Sequence, residues 1–331
     1  MTDKSNTTIS TMSRREAFVG AGAITLAAVT SLPTGARAAA PMQGAGGPVF
    51  NRFKMGDFEV TTILDGAIAL DGPHPIFGQN AEVADVQNLA EQNFLPPTRM
   101  EIGFTQTLVN TGSELVLFDA GNGAGRRPAA GQLLARLAAA GIKPEDVDIV
   151  ALTHFHPDHI GGLAEDGAPA FPNARYVIGE AEYNFWSPPE MAENEKTARI
   201  GKLVQSNVVP IAEKATFVKA GGAVVSGIEA VDTSGHTPGH TAFHVESAGK
   251  RLMITGDLCN HYVVSMQRPD WHVRFDMDKE KAVAARKQTL GMIAADRIPM
   301  IGYHMPFPAS GYVEAMGDGF RWVPTTYQFN V

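Results

Sequence analysis

A layered fold of the α/β or α+β class is what this sequence predicts. Three observations carry that reading. Short apolar, β-branched runs recur through the chain, single helical stretches separate them, and the pattern falls into two halves. Sheets covered by helices are the layered architecture that buries such runs. The chain has 331 residues, 44% hydrophobic and 19% charged, which is enough for a sizeable core. No repeat or low-complexity tract divides it.

The N-terminal stretch reads as an export signal. Ser13-Arg14-Arg15-Glu16-Ala17-Phe18 places a twin arginine before an apolar run from Val19 to Leu32, and Ala36-Arg37-Ala38 supplies an A-x-A cleavage site. Paired arginines point to the Tat route. The apolar run is too short, and too rich in Gly, Ala and Thr, to span a bilayer. The expectation is therefore a Tat-type signal over residues 1–38 and a single domain over residues 39–331. Such a protein would be periplasmic or secreted, would meet the Tat translocon during export, and would keep no stable membrane anchor after cleavage.

Residues 39–52, rich in Pro, Gly and Ala, read as a loose lead-in. Phe58 to Leu64 alternates like a strand and meets a turn signal at Asp65-Gly66. Asp71 to Pro97 holds many loop formers. A hairpin comes next, Thr105 to Val109 and Glu114 to Phe118, hinged at Thr111-Gly112-Ser113. Leu133, Leu134, Leu137 and Ala138 repeat at helical spacing up to Gly141. The second part predicts strands at Arg175–Ile178, Thr216–Val218, Ile228–Val231, Thr241–Glu246 and Arg251–Thr255. Helices are expected at Glu180–Trp186, within residues 190–207 and at Lys279–Ile293, with a last short strand at Met300-Ile301-Gly302.

Between these elements lies the stretch that carries chemistry. Val147 to Leu152 reads as a buried strand, and Thr153-His154-Phe155-His156-Pro157-Asp158-His159-Ile160-Gly161-Gly162 comes directly after it. Three histidines and one aspartate within six positions, in a chain with only 10 histidines, are donors suited to a borderline divalent metal. Pro157 and the paired glycines break regular structure, so these donors sit on a loop past a strand end. Three later segments repeat the logic of a strand followed by donors: Gly235-His236-Thr237-Pro238-Gly239-His240, Ile254-Thr255-Gly256-Asp257 and Tyr303-His304. The formal net charge of −8 argues against a nucleic-acid partner. Cys259 is the only cysteine, so no intrachain disulfide forms.

Taken in order, T-H-x-H-x-D-H-x-G-G, G-H-T-P-G-H-T, T-G-D and a late histidine resemble the metallo-β-lactamase superfamily over about residues 58–305. The resemblance implies an αβ/βα four-layer sandwich with a two-metal site at one edge. It implies that His154, His156 and His240 hold one ion, that Asp158, His159 and His304 hold the second, and that Asp257 bridges. Asp119 and His236 would support ligands from behind. Within the superfamily, the secreted methyl parathion hydrolase/lactonase group is the most similar branch, on Phe171-Pro172-Asn173-Ala174, Phe185-Trp186 and Phe320-Arg321-Trp322-Val323-Pro324.

The activity this resemblance implies is that of a dinuclear hydrolase of lactones or aryl esters, with phosphotriesters as a side activity, in which a metal-bridging hydroxide attacks. Two divalent ions are implied, zinc first, with iron, manganese or cobalt as alternatives. Asp158 could also carry a proton to the leaving group. Trp186, His261 and Phe155 flank the ligand loops and are candidates for substrate contact. Few basic residues lie near those loops, Arg268 and Arg274 being the closest along the sequence, which favours a small, neutral, apolar ester or lactone over a polyanion. A homodimer is compatible with the sequence. Two narrower or different readings stand beside this one: an acyl-homoserine lactone lactonase, and a di-iron redox or non-catalytic metal-binding protein.

Overall fold

The computed structural model describes residues 46–325, and the segment read as an export signal lies outside them. In chain order the strands are β1 (Phe50–Met55), β2 (Phe58–Asp71), β3 (Arg99–Asn110), β4 (Leu115–Phe118), β5 (Ile149–Leu152), a short pair β6 (Ala164–Glu165) and β7 (Ala168–Pro169), β8 (Arg175–Gly179) and β9 (Ala215–Val218). They continue with β10 (Ala223–Val225), β11 (Ile228–Asp232), β12 (Thr241–Ser247), β13 (Lys250–Ile254), β14 (Met300–Ile301), β15 (Ser310–Met316) and β16 (Gly319–Pro324). The helices are α1 (Val83–Gln92), α2 (Leu133–Ala139), α3 (Pro157–Ile160), α4 (Glu180–Trp186), α5 (Glu190–Glu193), α6 (Ala198–Asn207), α7 (Val264–Gln267) and α8 (Lys279–Asp296).

Two seven-stranded sheets result, ordered β1-β2-β3-β4-β5-β8-β9 and β10-β11-β12-β13-β14-β15-β16. In the first sheet β4, β5, β8 and β9 run parallel. Side chains alternate between faces along a strand, and here both faces are buried. Val116, Phe118, Ile149, Ala151 and Val177 face the second sheet and pack with Phe243, Val245 and Leu252. Leu117, Val150, Leu152 and Ile178 face the other way, onto Leu137 of α2, Trp186 of α4 and Val204 of α6. Leu290 and Ile293 of α8 join the inter-sheet cluster. The order helix, sheet, sheet, helix is the expected αβ/βα sandwich. Phe118 and Phe243 meet across the seam with ring centroids 5.0 Å apart, and burying each ring contributes about 1.5–3 kcal/mol.

Several expectations need correction. Asp65-Gly66 is not a turn: β2 runs through it, with a shift of register against β3 between Leu64 and Gly66. Gly66 has φ 159°, and a Cβ there would lie 2.3 Å from the Ala129 carbonyl oxygen, so the bulge needs glycine. Helix α1 occupies the stretch read as loop-forming, β1 begins inside the expected lead-in, and the β15–β16 hairpin comes after what was read as the last strand. Among the described residues no helix is long and apolar enough to cross a membrane.

Candidate metal centre

Donor groups gather where strands of both sheets end. Asp119 follows β4, and His154, His156, Asp158 and His159 follow β5. His236 and His240 follow β11, Asp257 follows β13, and His304 follows β14. Local backbone geometry makes this convergence fit: Gly256 has φ 49°, and a Cβ there would stand 2.9 Å from His240 Nε2. Asp119 itself adopts φ 61°, a left-handed conformation that non-glycine residues keep mainly where the surroundings enforce it.

Two groups of donors form. In one, ligand atoms of His154, His156, His236 and Asp257 lie within 4.8 Å of one another; in the other, those of Asp158, His159 and His304 do. His156 Nδ1 is 3.0 Å from His154 Nε2 and 2.9 Å from His236 Nε2. Asp257 joins the groups. Its Oδ1 is 3.1 Å from His159 Nε2, and its Oδ2 is 3.3 Å from His236 Nε2 and 3.2 Å from His304 Nε2.

The far nitrogen of four of these rings is held by an oxygen acceptor, which fixes which nitrogen faces inward as a lone pair. His159 Nδ1 donates to Asp119 Oδ2 at 2.8 Å, His236 Nδ1 to Asp276 Oδ1 at 2.8 Å, and His304 Nδ1 to the Gly103 carbonyl at 2.8 Å. Thr153 Oγ1 donates to Asp119 Oδ2 at 2.8 Å, leaving it to accept from His154 Nδ1 at 3.0 Å. Inside, His159 Nε2 and Asp257 Oδ1 are buried and face each other at 3.1 Å outside hydrogen-bonding geometry, and neither has another hydrogen-bond partner. Buried orphans of opposite polarity, aimed into a space ringed by imidazole and carboxylate, are what a divalent cation satisfies. The residues present fit two ions.

Without cations, protons take their place. Burial is the largest influence on each histidine and opposes charge. It prevails at His154, lowered well below the usual imidazole value, and at His156 and His240, each lowered to about 3. At His236 burial is outweighed by hydrogen bonds to Asp257 and Asp276, which push it up to about 9. Burial is also outweighed at His159 and His304, both raised chiefly by Asp257. Burial opposes ionisation of Asp257, yet His304 and His159 hold it well below the carboxylate range.

The structure differs from the sequence reading at one pair of sites. His236, expected behind the ligands, faces into the donor group, whereas His240, expected as a ligand, does not belong to it. His240 Nδ1 is engaged by Thr233 Oγ1 at 2.8 Å, and its Nε2 accepts from the Asp257 backbone N–H at 3.0 Å. Both nitrogens are spent, so His240 braces the Asp257 loop. His154, His156, Asp158, His159, Asp257 and His304 are brought together, and Asp119 lies behind His159.

The substrate candidates fare otherwise. A cleft of about 260 Å³ opens on His156, Asp158, Asp257 and His304. Phe155 and Trp186 are 0% and 1% exposed and belong to the core under the first sheet, so their size serves packing. His261 lies outside this cleft, edge-on to Phe77, with its Nδ1 accepting from the Val263 and Val264 amides. Cys259 is fully buried, and burial pushes its thiol up to about 12. The cations at the cleft are Arg126, Lys196 and Arg199, not Arg268 and Arg274. The expectation of a neutral substrate rested on few basic residues lying near the ligand loops along the sequence, and the fold brings these three to the cleft from elsewhere.

Two buried carboxylates were missed. Glu182 of α4 accepts from the Phe155 N–H at 2.9 Å, the Thr237 hydroxyl at 2.8 Å and the Gly239 N–H at 2.9 Å, tying the two histidine loops together. Asp276 orients His236 and is itself held by the buried Arg286 guanidinium at 2.8 Å. Nothing local in sequence marks the role of either one, because their partners lie 10 to 57 residues away along the chain.

The family model described as the metallo-beta-lactamase superfamily matches residues 105–295, more than half of the chain and four of its five donor segments. The chain belongs to the metallo-beta-lactamase superfamily. Among curated members, it is 27% identical over 118 residues to an N-acyl homoserine lactonase of Bacillus cereus, covering 36% of this chain and 40% of that one. It is 28% identical over 179 residues to a probable metallo-hydrolase, YqjP, of Bacillus subtilis (strain 168), covering 49% and 54%. The chain thus spans about half the length, or less, of these curated relatives. Solved superfamily structures align more fully. AidC, a dizinc quorum-quenching lactonase in complex with a product, has a TM-score of 0.77 at 28% identity, over 84% of this chain and 98% of that one. The hydrolase AbOPH has a TM-score of 0.79 at 26% identity, over 86% and 100%.

Proposed function

We propose that this superfamily member is a dinuclear metal-dependent hydrolase of lactones or aryl esters. The observation that carries the reading is the buried, unpartnered pair His159 Nε2 and Asp257 Oδ1 inside a ring of donors beside an open cleft. His154, His156 and His236 would hold one ion, His159, His304 and Asp158 the other, with Asp257 reaching both. When bound, such ions supply activated water at neutral pH and an electrophile for the carbonyl and leaving oxygens.

The chain's own groups do the rest. Asp119, Asp276, Thr153 and the Gly103 carbonyl hold four imidazoles in one tautomer each. His240 and Glu182 fix the loops that carry donors. Asp158 has its side chain 15% exposed at the cleft, against 4% for Asp257, which suits it to pass a proton to the departing oxygen. Tyr303 holds that residue's backbone, donating its hydroxyl to the Asp158 carbonyl at 2.5 Å, and stacks on His159 at 3.8 Å.

The likeness to lactonases supports lactones as the first substrate class, acyl-homoserine lactones included, and phosphotriesters as a side activity. Kinship with the secreted methyl parathion hydrolase/lactonase group is part of the same proposal. A panel of lactones, aryl esters and phosphotriesters, with elemental analysis of the purified protein, tests it. About two equivalents of metal and chelator-sensitive hydrolysis are expected; hydrolysis indifferent to chelators would sink the reading. A visible charge-transfer band would instead favour a di-iron redox protein. Export by the Tat route is proposed on Arg14 and Arg15, and unaltered export of an Arg14→Lys/Arg15→Lys variant would refute it.

A further inference from the structure

The cleft over the donor groups is two-sided in character. One wall is apolar, formed by Ile68 and Leu70 of β2, Ile102 of β3, Ile200 of α6 and Phe275. The mouth carries three cations, Arg126, Lys196 and Arg199. Among the described residues none of the three pairs with a carboxylate, while the neighbouring Arg127 is matched with Glu165 at 2.6 Å. Arg126 is half-buried, with its guanidinium 5.7 Å from the Phe104 ring centroid, and Phe104 stands edge-on to His304 at 5.5 Å. One cation is thus held over the aromatic that borders the donor cluster.

The position of Arg126 is built into the fold. Asp65, at the bulge of β2, accepts from Asn122 N at 3.0 Å, Asn122 Nδ2 at 2.7 Å, Gly131 N at 3.0 Å and Leu133 N at 2.7 Å. Both ends of the loop that presents Arg126 are pinned by this one buried carboxylate. Three unmatched cations at one opening stand out in a chain of formal charge −8, and low-dielectric walls focus such a field toward an incoming anion.

From these observations we propose that the substrate carries an anionic group of its own, a carboxylate or a group of like charge, which Arg126, Lys196 and Arg199 receive while an apolar segment lies along the Ile68–Ile102 wall. The proposal rests on the hydrolase reading and narrows its esters and lactones to amphipathic ones that carry an anionic group, against the neutral substrate expected from sequence. An anion seated there leaves the scissile carbonyl facing His156, Asp158 and His304.

The test compares 4-acetoxybenzoate with 4-acetoxybenzamide, which share the scissile bond and nearly the same shape and differ in charge. With metal-loaded protein at low salt, kcat/KM for the carboxylate should exceed that for the amide by about tenfold, mainly through KM. The ratio should fall toward one as salt is raised, and also in the Arg126→Gln/Lys196→Gln/Arg199→Gln variant. A ratio near one in the unaltered protein, or a preference that survives in the variant, would overturn the proposal; the latter would place the carboxylate on the metals. Circular dichroism checks that the variant folds, and the exposed single variants Lys196→Gln and Arg199→Gln should each lower the ratio in part. Calorimetric binding of 4-hydroxybenzoate against 4-hydroxybenzamide decides the matter independently of turnover. If neither ester is cleaved but the carboxylate binds tighter through the three cations, the hydrolase reading falls and the anion site stands. Equal binding in that case removes both.

Discussion

Replacing His236 and His240 separately by alanine distinguishes two assignments of the Gly235–His240 segment. His236 Nε2 is one of two imidazole nitrogens that approach His156 Nδ1, at 2.9 Å against 3.0 Å for His154 Nε2. Removing it takes away one imidazole of a three-histidine set and leaves the buried Asp276 with Arg286 alone. His236→Ala should lose about one equivalent of metal, since such sites depend on a full set of protein ligands. In His240→Ala the chain loses the acceptor for the Asp257 N–H, 3.0 Å away and buried. An unsatisfied buried amide costs about 1–3 kcal/mol, and loss of a supporting partner lowers metal affinity roughly 10–100-fold. His240→Ala should therefore still bind two equivalents at saturating metal, with weaker affinity and a lower melting temperature. Elemental analysis after dialysis against graded free metal reads both numbers. The reverse pattern, one equivalent in His240→Ala and two in His236→Ala, would falsify the assignment drawn from the geometry.

Three further outcomes are expected. Asp119→Asn breaks the 2.8 Å contact that sets the His159 tautomer and should lower activity or metal affinity roughly 10–100-fold, with a titration of metal against rate as the check; unchanged affinity and rate would remove Asp119 from that role. Asp158→Asn should keep the fold while losing most turnover, read as a fall in kcat larger than any rise in KM. Metal binding should release protons, because His236 in the metal-free protein is pushed up to about 9. A raised value means its stabilising share is fully present below about 6.5, the unfolded value, and is lost as pH rises through about 9. At pH 8, calorimetry in two buffers of different ionisation enthalpy should show net proton release, shrinking above pH 9; buffer-independent heats at pH 8 would contradict it.

Local sequence was sufficient where the signal was short in range. The apolar run of β5 and the H-x-H-x-D-H cluster after it are contiguous, so strand and donors could be read together, although Asp158 and His159 lie in the short helix α3, with Pro157 in its first turn, and not on the expected loop. The exchange of His236 for His240 was not legible. Each histidine is preceded by Gly and followed by Thr, and what separates them is Asp276, 40 residues after His236, and Thr233. The cations of the cleft were hidden for the same reason, since Arg126 lies far along the chain from Lys196 and Arg199 and the fold joins them. Helix α1 escaped because it is short, half polar and flanked by loop formers, and β15 because it is mostly small or polar, with Val313 its one buried large apolar side chain. Asp65-Gly66 carries turn chemistry in isolation, yet Asp65 is fully buried, its carboxylate taken by amides from the segment at 122–133.

The donors come from both sheets: His154, His156, Asp158 and His159 hang from the first, and His236, Asp257 and His304 from the second. On the proposed function, a cation pair held by these seven would act as a rivet through the sandwich, resisting any sliding or splaying of one half against the other. Mechanical rigidity and chemical competence are then gained in the same event, and chelation should loosen the join between the halves before it disturbs either sheet.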